Sequence, residues 1–250
     1  MIKNKKCEGI MMNENEERIV IHVGLGKTGT SFLQREIFPK LDNVEVFGNN
    51  NKLLTLETKF SSDKINIISR EGLSGLGEPE MDAGRYVIAD RLHNIFPHAK
   101  IIVVFREKES YIRSSYSEVI KAGGVEDFNT YYERITTANP EFFDFEKYDR
   151  YLRNLFDNVL VLWFEELKND PGSFIRKICD FIGVKIPDYA NRHVNIQRSD
   201  KNLQMWRIIN ELFRSPWNKD GFFPRWSNPL AWSKILKRAR EFFSRGKYSL

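Results

Sequence analysis

Short apolar runs alternate along this chain with stretches in which apolar residues recur at helical spacing. The apolar runs predict buried strands at residues 18–23, 44–47, 65–69, 100–105 and 158–163. Helical patterns lie between them, for example over residues 84–96 and 126–157, and Pro171 stands where it can open a helix. Because strands alternate with helices, we expect an α/β fold with a central parallel sheet flanked by helices.

The two ends of the chain depart from this alternation. Residues 1–17 are polar and charged, so we predict a disordered tail there and a single domain over residues 18–250. Residues 230–246, LAWSKILKRAREFFSRG, predict a basic amphipathic helix. We expect that helix to pack on the domain with its charges in solvent. Peripheral attachment to an anionic membrane is the alternative.

The first strand runs into a glycine-rich turn that carries one lysine and is followed by a helical pattern. Residues 24–38 read GLGKTGTSFLQREIF. Glycines allow the main chain to approach a ligand closely, and Lys27 adds a positive charge. Backbone N–H groups and the positive end of the helix dipole converge at such a turn. The segment therefore predicts a site for a phosphate-type anion at the end of the first strand.

Two nucleotide-binding patterns overlap this turn. Residues 26–28 match the end of the Walker pattern, but Ile21 stands where its first glycine is required. Residues 24–29 match G-x-G-x-x-G, although a lysine inside it is unusual for a dinucleotide fold. A P-loop nucleotide or small-molecule kinase is therefore one alternative function, and a catalytically inactive nucleotide-binding module is another.

A second candidate anion contact follows the fourth predicted strand. Arg106 stands at the end of the strand over residues 100–105, and Ser114 comes eight residues later in a predicted helix. An arginine and a hydroxyl can bind one phosphate from two sides. A P-loop hydrolase requires a magnesium-binding aspartate at such a strand end. The four histidines and two cysteines show no metal-ligand spacing, so we expect no metal.

Together these segments resemble the sulfotransferases that use 3′-phosphoadenosine-5′-phosphosulfate (PAPS), of a bacterial, carbohydrate-sulfotransferase type. Residues 27–31, KTGTS, are similar to the family's 5′-phosphosulfate loop, and Arg106 with Ser114 is similar to its 3′-phosphate motif. Residues 159–184 are similar to its strand, acidic pair, proline-initiated helix and Phe-Ile-Gly ending. The resemblance covers roughly residues 18–215 and implies the sulfotransferase fold, with PAPS as donor and adenosine 3′,5′-bisphosphate (PAP) as product.

The resemblance also implies roles for individual residues. Lys27 would stabilise the leaving phosphate oxygen. Glu71 follows the third predicted strand and is our candidate general base, while His22 is expected to be packed and is the next base to test. We interpret the acidic pair at residues 165–166 as structural. The predicted donor-binding residues are Gly26, Lys27, Thr28, Gly29, Thr30, Ser31, Arg106, Ser114 and Arg198.

Composition narrows the classes of partner. The net charge of +5 over 250 residues suits anionic ligands but is too small and too dispersed to indicate nucleic-acid binding. The sequence has no apolar run of 18 residues, and its two cysteines suit a reducing compartment, so we expect a cytoplasmic protein. We expect the acceptor to be a hydroxyl on a glycan or glycolipid. A small alcohol, a phenol and an amine are the alternative acceptors.

Overall fold

The computed structural model describes residues 18–48, 58–74, 84–189 and 200–223. The described residues form two compact units, one of residues 18–115 and 129–189 and one of residues 116–128 and 200–223. The tail at residues 1–17, Arg198 and the helix at residues 230–246 lie outside the described residues. A single domain over residues 18–250 stays a prediction.

A parallel sheet of five strands forms the centre of the first unit. Its strands are β1 (Ile19–Gly24), β2 (Val44–Phe47), β3 (Ile65–Arg70), β4 (Lys100–Phe105) and β5 (Val159–Trp163). They lie in the order β2-β3-β1-β4-β5, and each neighbouring pair is parallel. The predicted parallel sheet is confirmed, and each strand lies within a residue of its predicted bounds.

Helices connect the strands and cover the sheet. They are α1 (Thr30–Phe32), which continues as a π-helical turn (Leu33–Ile37) and a 3₁₀ turn (Phe38–Lys40), α2 (Arg85–Ile95), α3 (Lys108–Lys121), α4 (Phe128–Ala138), α5 (Phe145–Leu155), α6 (Phe164–Asn169), α7 (Pro171–Ile182) and α8 (Asp200–Glu211). Shorter 3₁₀ turns span Glu71–Ser74 and Pro140–Phe143. Among the described residues, no helix is both long enough and apolar enough to cross a membrane.

One face of the sheet packs against the helical segment 30–40 and against α6 and α7. The buried residues of this core are Val20, Ile67, Ile102, Val104 and Leu162 from the strands, Phe32, Leu33, Ile37, Phe38 and Leu41 from the first helical segment and the residue after it, and Leu167, Phe174, Ile175, Ile178, Cys179 and Ile182 from α6 and α7. Residues i and i+2 of a strand share a face, so His22 faces this core together with Val20. Its ring meets that of Phe38 edge to face, with 5.4 Å between the centroids.

Helix α5 packs on the opposite face of the sheet, and α2 packs on α5. Phe105 of β4 stacks on Phe145 with ring centroids 4.8 Å apart. Arg85 at the start of α2 is only 1% exposed. Its guanidinium lies 4.6 Å from the ring centroid of Tyr148 and donates to the main-chain carbonyl of Phe142 at 2.9 Å. The carbonyl dipole and the aromatic face offset part of the cost of burying this charge.

The second unit is held together by amide hydrogen bonds around a glycine pair. Asn210 of α8 is buried, and its amide donates to the carbonyls of Ile120 and Gly124 at 2.8 Å each. The hydroxyl of Ser215 donates to the carbonyl of Gly123 at 2.9 Å. These side chains donate to main-chain carbonyls at and just beyond the end of α3, where the regular donors four residues ahead run out.

Candidate active site at the carboxyl edge of the sheet

Three adjacent strands bring the predicted functional residues to one edge of the sheet. Lys27 follows β1, Glu71 follows β3, and Arg106 follows β4. The register pairs the last residues of these strands to within one position of each other. Because β1 lies between the other two strands, the glycine-rich loop is flanked by Glu71 on one side and by Arg106 on the other.

The loop after β1 contains two left-handed residues. Lys27 has φ 66° and Gly29 has φ 85°. A side chain at position 29 would be strained by this backbone, and its Cβ would lie 2.7 Å from Leu167 Cδ2. No heavy atom lies within 4 Å of a Cβ built at Gly26. The main chain at residues 26 and 27 therefore borders open space, and the Lys27 side chain is exposed.

Two threonine side chains stabilise the loop from within. The hydroxyls of Thr28 and Thr30 both donate to the carbonyl oxygen of Leu25, at 2.6 and 3.2 Å. Both threonines are buried, whereas Ser31 is partly exposed. We expected the Thr30 hydroxyl to line the donor site, but its proton is already used inside the loop. That contact depends on the left-handed turn, which the sequence pattern does not specify.

Side chains from two neighbouring elements hold two more carbonyls of this segment. Ser74 donates to the carbonyl of Gly24 at 2.8 Å, and Nη1 of Arg106 donates to the carbonyl of Lys27 at 2.7 Å. In a trans peptide the C=O group and the following N–H point in opposite directions. The carbonyls of Gly24, Leu25 and Lys27 are thus turned toward protein donors and the following amides away from them, which favours an anion on the amide side.

Arg106 is held firmly at the end of β4. It is 5% exposed, its Nε donates to Ser110 Oγ at 2.8 Å, and its guanidinium lies 4.5 Å from the ring centroid of Phe164. Burial lowers the pKa of Arg106, although a guanidinium stays charged in proteins. The sequence pattern indicates Ser114 but carries no signal that selects Ser110. Both lie on one face of α3, with Ser114 one turn farther from the strand end.

His22 is packed, as predicted. It is fully buried, and its Nδ1 lies 2.8 Å from the hydroxyl of Ser69 on β3. Its Nε2 has no hydrogen-bond partner among the described residues. Burial lowers the pKa of His22 to about 4, so the ring is neutral near pH 7.

The carboxylates at this edge differ in their surroundings. Glu71 is exposed at the start of a 3₁₀ turn. Glu166 accepts the main-chain N–H of Trp163 at 3.0 Å and pairs with Lys177, and Glu165 accepts the N–H of Glu107 at 3.3 Å. The pair at residues 165–166 is thus engaged in holding α6 and the start of α3, as we interpreted it. Glu71 keeps its carboxylate at the surface beside the loop.

The Sulfotransferase family model matches residues 83–188, which include Arg106 and Ser114. The rat (Rattus norvegicus) protein Sulfotransferase 2A2 is 31% identical over 99 residues, which are 37% of this chain and 35% of that protein. The mouse (Mus musculus) protein of the same name is 32% identical over 125 residues, or 45% and 43% of the two chains. The chain thus spans less than half the length of these curated relatives.

Solved sulfotransferase structures resemble the fold described above. The crystal structure of a sulfotransferase from Alicyclobacillus acidocaldarius aligns with a TM-score of 0.50 at 17% identity, covering 78% of this chain and 92% of that one. Mouse sulfotransferase SULT7A1, crystallised with PAP, aligns with a TM-score of 0.45 at 15% identity, covering 78% and 64%. This chain has the sulfotransferase fold, and its residues 83–188 carry the sequence pattern of the sulfotransferase family.

Proposed function

We propose that this protein transfers a sulfuryl group from PAPS to an acceptor hydroxyl and releases PAP. The observation that carries the proposal is the contact between the Arg106 guanidinium and the Lys27 carbonyl, which brings together two cationic residues that follow the adjacent strands β1 and β4. The donor carries phosphate at two separate places. The loop at residues 26–31 would bind its 5′ side, and Arg106 with Ser114 would bind its 3′-phosphate. Arg198, outside the described residues, stays a proposed nucleotide contact.

The reaction would move sulfur between two oxygens in line. The acceptor oxygen forms a bond to sulfur as the bond from sulfur to the 5′-phosphate oxygen breaks, and negative charge grows on that phosphate. Lys27 and the loop amides would stabilise this charge, because fixed positive groups act most strongly where charge develops. Chemistry of this kind depends on positioning and electrostatics.

Glu71 is our candidate for the base that removes the proton from the acceptor hydroxyl. Its carboxylate is exposed, and it follows β3, the strand beside the loop. A general base must come within hydrogen-bond reach of the proton that it takes, and an exposed turn at this edge permits that approach. A base contributes about 10²–10⁴-fold to turnover in such reactions.

We further propose a carbohydrate or glycolipid hydroxyl as the acceptor and the cytoplasm as the location. A glycolipid would bring the enzyme to a membrane surface, which would suit the basic helix predicted at residues 230–246. Phenols, small alcohols and amines are the comparison classes in an acceptor screen.

The kinase alternative is not favoured. A P-loop phosphotransferase places a magnesium-binding carboxylate at a strand end beside its loop, and here Arg106 follows β4 at that place. The family model and the curated relatives are sulfotransferases.

Ligand-induced thermal stabilisation and a transfer assay test the proposal. We expect PAP to raise the unfolding temperature without magnesium. At 100 times its Kd, bound PAP should raise the free energy of unfolding by about 2.7 kcal/mol. Transfer of radiolabelled sulfate from PAPS across a panel of glycans, glycolipids and phenols then identifies the acceptor. Stabilisation by ATP with magnesium, together with no response to PAP, would contradict the proposal.

A further inference from the structure

Two buried or half-buried polar side chains connect the turn that carries Glu71 to the segment that carries the donor loop. These are Ser74, at the end of the 3₁₀ turn, and Gln34, in the helical segment that follows the loop. The hydrogen bonds that the structure shows for these two side chains are to Gly24, Glu71 and Ser69, not to Gly26 or Lys27. Each forms hydrogen bonds between the β1 side and the β3 side of the site.

Ser74 connects the two segments on the side of the turn. It has no exposed surface, and its Oγ lies 2.8 Å from the carbonyl oxygen of Gly24 and 2.9 Å from that of Glu71. Gly24 is the last residue of β1 before the loop, and Glu71 is the first residue of the turn. One hydroxyl therefore lies between the start of the donor loop and the main chain of the candidate base.

Gln34 connects the same segments on the strand side. Its amide donates to the carbonyl of Ser69 at 2.9 Å and to the hydroxyl of Ser69 at 3.1 Å. An amide nitrogen carries two protons, so both bonds can form together. The Ser69 hydroxyl also pairs with the buried ring of His22, two residues before the loop segment begins. Glu71 thus lies between two anchored positions, Ser69 and Ser74.

We propose that Ser74 and Gln34 are positioning residues for the transfer reaction. They fix the main chain of Glu71 relative to the Lys27 loop, so that the carboxylate stays within reach of an acceptor placed in line with the donor. This inference rests on the proposed function, in which Glu71 is the base. Its physical basis is that a displacement of about 1 Å from productive geometry costs about 100-fold in rate, whereas binding of the donor needs no such alignment.

A double-mutant cycle between Ser74 and Glu71 tests this inference. We expect Ser74→Ala to lower kcat about 10-fold or more. Because Ser74 also donates to the Gly24 carbonyl before the donor loop, we expect the Kd for PAP to rise as well, but by a smaller factor than the loss of kcat. If Ser74 acts through Glu71, then Ser74→Ala should have no further effect on kcat in a Glu71→Gln background. Ser117→Ala is the matched control, because Ser117 is also a buried serine of the described chain.

Gln34→Met gives a second, independent variant if Ser74→Ala does not fold. It keeps the length of the side chain and removes both donors to Ser69, so we expect the same loss of kcat with the same insensitivity in the Glu71→Gln background. If the wild-type enzyme is active but the losses of kcat from Glu71→Gln and from the second substitution multiply in either cycle, the positioning role is wrong, and the proposed function stands. A wild-type protein that neither binds PAP nor transfers sulfate would overturn the proposed function as well.

Discussion

At the scale of single residues, Arg106 and Lys27 depend on each other. The two residues are 79 positions apart in the sequence, yet the Arg106 guanidinium donates to the Lys27 carbonyl. Each residue could be selected from its own local pattern, a glycine-rich turn and a strand end. Their contact could not, because it follows from β4 lying next to β1.

Removal of the Lys27 amine should strongly slow transfer without unfolding the protein. We expect Lys27→Ala to lower kcat by roughly 10²–10³-fold, the usual loss when one group that stabilises developing charge is removed. Lys27→Asn is the matched control for backbone strain, because asparagine adopts the left-handed conformation of this position more readily. Steady-state kinetics and thermal unfolding provide the measurements. Near-normal turnover in both variants would contradict the proposal that the Lys27 amine stabilises the leaving phosphate oxygen.

Replacement of Arg106 should discriminate between nucleotides with and without a 3′-phosphate. Arg106→Ala releases the Lys27 carbonyl, so we expect it to weaken the binding of both PAP and adenosine 5′-phosphate. We expect PAP to lose about 1.5–3 kcal/mol more than adenosine 5′-phosphate, the value of hydrogen bonds to a charged group. Calorimetric titration of both nucleotides into wild-type protein, Arg106→Ala and Arg106→Lys measures the difference. Equal losses for the two nucleotides would contradict the 3′-phosphate assignment.

The buried His22 should make the protein less stable in mild acid. Its pKa is about 4 in the folded protein and about 6.5 when unfolded, so the unfolded state binds more protons between these values. Stability should therefore fall as the pH decreases from 6.5 to 4, by up to about 3 kcal/mol from this residue. Urea unfolding at pH 7 and pH 4.5 should show a smaller loss for His22→Gln than for wild type. Equal losses would show that His22 is not buried in its neutral form.

At the scale of elements, the connection from β1 to its helix depends on one left-handed glycine. The sequence pattern predicted a helix after the glycine-rich turn, and the structure begins it at Thr30, directly after Gly29 with its positive φ. Beyond Phe32 the segment changes to π-helical and then to 3₁₀ geometry. Hydrophobic spacing does not distinguish α-helical from π-helical geometry here, because residues four apart, such as the buried Leu33 and Ile37, share a face in both.

Two glycine substitutions should separate folding from donor binding. Gly29→Ala combines an unfavourable φ with a Cβ only 2.7 Å from Leu167, so we expect it to lower the free energy of unfolding by about 1–3 kcal/mol. Gly26→Ala meets no heavy atom within 4 Å, so stability should change little while PAP binding weakens. Denaturant unfolding and nucleotide titration of both variants give the comparison. Unchanged PAP affinity in Gly26→Ala would place the donor elsewhere.

At the scale of the whole molecule, the hydrophobic pattern predicted the strands of the sheet. The strand order and the contacts between residues far apart in the sequence depend on the three-dimensional fold. Strand positions followed from short apolar runs, which are buried on both faces in a parallel sheet. The order of the strands in the sheet could not be predicted from the sequence, because it depends on which crossover connections place two strands side by side. For the same reason Ser110, Ser74 and Gln34 were missed. Arg85 was missed because its buried site is built by residues far away in the sequence.

The rate at which a thiol reagent modifies Cys179 should measure how often the core opens, and bound PAP should lower that rate. Its thiol is fully buried on α7, and burial raises its pKa to about 11. In a Cys7→Ser variant, we expect a thiol reagent to react only after the core opens, because the Cys179 thiol is buried and its raised pKa disfavours the reactive thiolate. PAP at 100 times its Kd should slow the reaction about 100-fold. Immediate reaction of the native variant would contradict this burial.

The bond between Arg106 and Lys27 also sets a constraint on redesign of donor preference. If Arg106 binds the 3′-phosphate as proposed, an enzyme engineered to accept a donor without that phosphate would have to replace Arg106. The same substitution would release the Lys27 carbonyl from its donor and loosen the loop that carries the lysine. A successful exchange of donor therefore needs a compensating hydrogen-bond donor to that carbonyl in the same round of selection, and libraries that vary position 106 alone should return inactive or unchanged enzymes.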